Sequence, residues 1–62
     1  MLFDFGFKNK TVKELRKNKG LTAKELAIQV KVSESLILKV DNRKLKDVPD
    51  PLYSRLFSVL KG

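Results

Sequence analysis

Two Thr-x-x-Glu strings, Thr11 to Glu14 and Thr22 to Glu25, fix where helices can begin in this chain. In each, the threonine hydroxyl can accept from the backbone N–H three residues on. The glutamate can reach back to the threonine's own N–H. Gly20 lies between the two strings and supplies the left-handed residue that ends a helix. Ser33 offers a third cap, and Asp50 followed by Pro51 marks a fourth start, since proline is favoured at the first helical position. The punctuation predicts an all-α chain of four short helices.

The apolar residues fall in register with those caps. In the first helix Val12, Leu15 and the stem of Lys19 share one face, while Lys13, Arg16 and Lys17 point to water. The second, Ala23–Val30, buries Leu26, Ala27 and Val30, and Lys31 with Val32 forms a short break. The third runs over 34–41 and buries Ile37 and Val40. Residues 42–48 read as a polar, basic loop with Arg43, Lys44 and Lys46. The fourth has an inner stripe of Leu52, Leu56, Val59 and Leu60, flanked by Tyr53 and Phe57.

Residues 1–10 stand apart as an N-terminal arm, leaving 11–62 as the helical domain. Phe3, Phe5 and Phe7 alternate with Asp4 and Gly6, a period-two pattern that predicts an extended apolar arm. Such an arm can cover the first and fourth helices or pair across a dimer axis.

Composition narrows the function. With 62 residues and neither cysteine nor histidine, no disulfide and no His/Cys metal site can supplement a small core. No cofactor or metal is expected, the seven acids being scattered along the chain. No nucleophile–base constellation is recognisable, so an enzyme is not expected either. The start of the chain lacks the pattern of a secretory signal, and no stretch approaches the roughly 18 apolar residues of a membrane span. A soluble, cytoplasmic protein is expected. Fourteen Lys and Arg against seven Asp and Glu give +7, with a pI near 10.0. A field of that sign on so small a surface attracts polyanions, of which nucleic acid is the commonest.

The spacing within 22–42 says how a polyanion would be held. Ala27 sits where the second helix crosses closest to the third. Leu26, Val30, Val32, Ile37 and Val40 fill the wedge between them. That leaves Glu34, Ser35, Leu38, Lys39 and Asn42 on an open face of the third helix, and a helix so presented fits the B-DNA major groove.

The segment LTAKELAIQVKVSESLILKVDNRK resembles the helix-turn-helix of the phage repressor and Cro family, the XRE-like regulators. The likeness extends to 12–20 as the preceding helix and 51–60 as the following one. It rests on the caps Thr22 and Ser33, the Leu26–Ala27 pair, and Asp41–Asn42 closing the recognition helix. It implies a four-helix lambda-repressor-like domain that binds double-stranded DNA sequence-specifically as a small transcriptional regulator. Glu34, Ser35, Leu38 and Lys39 would face base edges. Thr22 and Lys24 at the second helix, Ser33, and the loop residues Asn42, Arg43, Lys44 and Lys46 would lie at phosphates. Family members usually bind paired half-sites, so a homodimer is implied.

The chain departs from the family pattern in five places. Lys31 replaces the usual turn glycine, and Ala23 stands where a phosphate-contacting glutamine is common. Leu36 and Leu38 place apolar groups on or beside the reading face. Glu34 sets a carboxylate there. The fifth helix of many members is missing unless the arm takes its place. Leu36 is expected to be partly buried against the loop before the fourth helix. Leu38 is expected to touch a thymine methyl or a protein. These apolar residues keep a second reading open, in which the Leu36/Leu38 face makes the domain a protein-interaction module, such as an antirepressor or a mobile-element accessory protein.

Overall fold

The protein is described here by a computed structural model covering the backbone of residues 4–61 and the side chains of residues 6–61. Each cap makes the bonds its residue type allows. Thr11 opens α2 (Val12–Asn18): its hydroxyl accepts from the Glu14 N–H at 3.1 Å, and the Glu14 carboxylate accepts from the Thr11 N–H at 3.0 Å. Thr22 does the same for α3 (Ala23–Val30), where the reciprocal bonds to Glu25 measure 3.0 and 2.8 Å. Ser33 caps α4 (Glu34–Val40) by accepting from the Leu36 N–H at 3.1 Å. Pro51 immediately precedes α5 (Leu52–Lys61), and Asp50 accepts from both the backbone N–H and the hydroxyl of Ser54. The four helices anticipated from the caps are thus α2 to α5.

Two elements depart from expectation. Residues Asp4–Lys8 form a helix, α1, and not an extended arm. A phenylalanine every second residue over so short a stretch also places Phe3 and Phe7 at i, i+4, so alternation alone does not separate strand from helix. Tertiary packing decides. Phe7 meets Phe57 of α5 edge-to-face at 5.7 Å, and Tyr53 stacks on Phe57 at 5.9 Å. Phe3 and the Phe5 side chain lie outside the described residues. The second departure is in 42–48, where a 3-10 turn, Leu45–Asp47, replaces the expected open loop. Leu45 is fully buried and Val48 nearly so, and both α1 and α5 pack on this turn. Among the described residues the chain is therefore all-helical, with five helices and one 3-10 turn.

A single core joins the elements. Val12 and Leu15 from α2, Leu26, Ala27 and Val30 from α3, and Ile37 and Val40 from α4 meet Leu45, Val48, Leu56 and Leu60. Leu52 and Val59 of the expected α5 stripe are only half-buried, at its edge. None of the described helices is long and apolar enough to cross a membrane.

One polar contact crosses this apolar interior. Arg16, expected at the surface, lies against Asp41 with guanidinium–carboxylate distances of 2.7 and 3.3 Å, both side chains about nine-tenths buried. Its remaining terminal nitrogen donates to the Leu21 carbonyl at 3.1 Å. The reason is geometric: Arg16 is four residues beyond Val12 and shares its inward face. The fork-shaped guanidinium thus ties α2 to the residue that ends α4.

Ala27, 3% exposed, belongs to the core in which α3 packs against α4. Ala27→Leu would force three further carbons into that contact, and we expect a loss of about 1–3 kcal/mol. Chemical denaturation followed by circular dichroism checks this. An unchanged midpoint would contradict the close packing around Ala27.

Candidate nucleic-acid interface

The candidate site is built on the turn between α3 and α4. Lys31, the residue after α3, is left-handed at φ 61° and ψ 46°. Its N–H donates to the Ile28 carbonyl at 3.3 Å, and the Val32 N–H donates to the Ala27 carbonyl at 3.0 Å. This is the Schellman closure of a helix end. The end of α2 closes in the same way around Gly20, at φ 73°, with Gly20 bonded to Lys17 and Leu21 to Arg16. One closure uses glycine and the other lysine. The lysine carries a Cβ into a region that costs L-residues roughly 1 kcal/mol. Lys31→Gly is therefore expected to raise stability by up to about 1 kcal/mol, less the backbone entropy that glycine loses on folding. A lower melting temperature would contradict the strain.

The turn delivers α4 with one face inward and one outward. Ile37 is fully buried and Val40 nearly so, whereas Glu34, Ser35, Leu38 and Lys39 are exposed. Leu38 retains 55% of its surface. Leu36 is half-buried beside Val32, Pro49 and Leu52, in keeping with its expected packing against the loop before the fourth helix. Leu36 and Leu38 consequently do not form one exposed patch. Thr22, Lys24 and Ser33 are also exposed, though the two hydroxyls are already engaged as helix caps.

Beyond α4 the basic segment is held in place by backbone pairing. Lys13 N–H donates to the Asp41 carbonyl, Val12 N–H to Arg43, and Leu45 N–H to Lys10, each at 3.0 Å, around an antiparallel bridge between Thr11 and Lys44. Asn42, Arg43, Lys44 and Lys46 are exposed on this stitched segment, directly following the open face of α4. The expected base-facing residues of α4, Ser33 before them and the expected phosphate-facing residues 42–46 after them thus lie on contiguous backbone, whereas Thr22 and Lys24 stand apart at the start of α3.

The acids are distributed differently. Glu14, Glu25 and Asp50 cap helices, and Asp41 holds Arg16. Glu34 stands in the first turn of α4, where the helix dipole favours a carboxylate. No cluster of three or more metal-ligating side chains occurs among the described residues.

Two features escaped the sequence reading. Arg16 carried a signal, its i+4 relation to Val12. Ile28, 67% exposed on α3, also carried one, since it falls outside the inward set of Leu26, Ala27 and Val30. Compared with known proteins, the chain matches no family model and has no significant match among curated proteins or solved structures.

Proposed function

We propose that this chain is a double-stranded DNA-binding domain of the phage repressor and Cro type, with a lambda-repressor-like helix arrangement, acting as a small cytoplasmic transcriptional regulator. The observation that carries the reading is the α3–turn–α4 unit. A left-handed turn residue after α3 and a buried alanine within it precede a largely polar face of α4 that runs straight into a pinned cationic segment. A seven-residue helix is about 10 Å long and suits a groove roughly 12 Å wide.

In this reading α4 enters the major groove with Glu34 and Ser35 leading, and Lys39 and Leu38 one turn on. Lys39 donates to guanine O6 or N7, Leu38 packs on a thymine methyl, and Glu34 accepts from cytosine N4. Asn42, Arg43, Lys44 and Lys46 hold phosphates after α4, while Thr22, Lys24 and Ser33 do so at the helix starts. Ala23 is buried and contributes no phosphate contact. One headpiece therefore binds weakly, and two copies on half-sites about 34 Å apart supply the rest. No catalytic role and no cofactor are assigned.

Selection from randomised duplexes tests the assignment. The protein is expected to enrich one sequence, and Lys39→Ala to relax it at a single base pair by on the order of tenfold. Failure to enrich any sequence would contradict it. A second reading, a protein-interaction module, is favoured by the exposure of Ile28 and Leu38. It predicts binding that is insensitive to salt.

A further inference from the structure

We infer that Lys10 and Lys13, at the start of α2, form a second line of phosphate contacts alongside Arg43 and Lys44. The inference rests on the DNA-binding reading and deepens it. Neither lysine belongs to the motif or to the loop, and nothing in their spacing suggests a site. The fold brings them there.

The antiparallel pairing sets Thr11 opposite Lys44. Its flanking bonds, from Leu45 to Lys10 and from Lys13 to Asp41, place Lys10 at one end of the bridge and Lys13 at the other. Lys13 is thereby held at the very end of α4, and Lys10 beside the start of the 3-10 turn. Both side chains are exposed, as are those of Arg43 and Lys44. None of the four has an ion-pair partner among the described residues. The nearest acid in sequence, Glu14, has its carboxylate folded back onto the Thr11 N–H and hydroxyl.

Two short backbone segments pinned side by side, each carrying exposed cations, make a wider electrostatic surface than a single loop. Strands in such a ladder lie about 5 Å apart. Successive phosphates on one DNA strand are spaced by several ångströms, so cations on both segments can engage one strand of backbone together. Such contacts strengthen binding and fix its orientation without reading sequence.

The test is the salt dependence of duplex binding, measured by fluorescence anisotropy with a labelled mixed-sequence duplex. Three proteins are compared: the natural chain, K10Q/K13Q, and K8Q/K17Q, which removes the same charge elsewhere. Each released phosphate contact makes the slope of log affinity against log salt shallower by about 0.9. K10Q/K13Q is expected to flatten it by nearly two, and to weaken binding at about 0.1 M salt by on the order of tenfold or more. K8Q/K17Q is expected to leave the slope within a few tenths. Thermal melting verifies that all three are folded. Equal slopes for the two double variants would overturn the inference while leaving the DNA reading intact. Failure of the natural chain to bind the duplex with salt dependence would overturn both.

Discussion

Asp41→Ala is expected to destabilise the domain by about 3–5 kcal/mol, because it strands the Arg16 guanidinium in a nearly dry site. Both side chains are about nine-tenths buried, and the shorter of their two contacts is 2.7 Å. The pair itself adds little net stability, since desolvating two charges offsets most of their attraction. Removing one partner is the costly change. A chain of 62 residues has a total stability of roughly 3–9 kcal/mol, so the expected loss is about a third of the whole or more. Arg16→Met combined with Asp41→Leu removes both charges and is expected to recover much of the loss. Recovery will be incomplete because the Leu21 carbonyl then loses its donor. Urea denaturation of the two variants decides the matter. A loss below about 1 kcal/mol for Asp41→Ala would mean that the pair is not held as described.

Ile37→Ala is expected to cost about 2–5 kcal/mol. Ile37 is fully buried, on the inward face of a helix of only seven residues. An isolated helix of that length is not stable in water, so α4 depends on its packing. Truncating Ile37 leaves a cavity between α3 and α4 and removes the main apolar anchor of the α4 face. Hydrogen exchange should show the α4 amides losing protection at least as much as those of α3. If denaturant midpoints shift by less than about 1 kcal/mol, α4 is held by something other than this contact.

The helix starts were legible because capping chemistry is local. Thr11, Thr22 and Ser33 bond within three residues of themselves, so sequence spacing specifies the geometry. Lys31, standing where the resembled family has a turn glycine, takes the left-handed conformation such a glycine would take. What was not legible depends on contacts distant in sequence. Arg16 meets Asp41 across 25 residues. Leu45 and Val48 are single apolar residues in a basic stretch, and only the packing of α1 and α5 shows that they are core. The helix at Asp4–Lys8 is likewise a tertiary outcome, with Phe7 packed on Phe57. In the candidate interface, the open face of α4 could be read from the burial pattern of Ile37 and Val40. The pairing that sets Lys10 and Lys13 beside the basic segment could not, since two backbone segments about thirty residues apart share no local signal.

In the DNA-binding reading, α4 and the segment after it face the duplex. An amide-resolved NMR titration with a mixed-sequence duplex, at low and then near-physiological salt, tests it most directly. Shifts are expected to concentrate in residues 33–46 and at the starts of α2 and α3, and to weaken as salt rises. Absence of shifts at either salt, or shifts confined to residues outside 33–46 and the starts of α2 and α3, would contradict it.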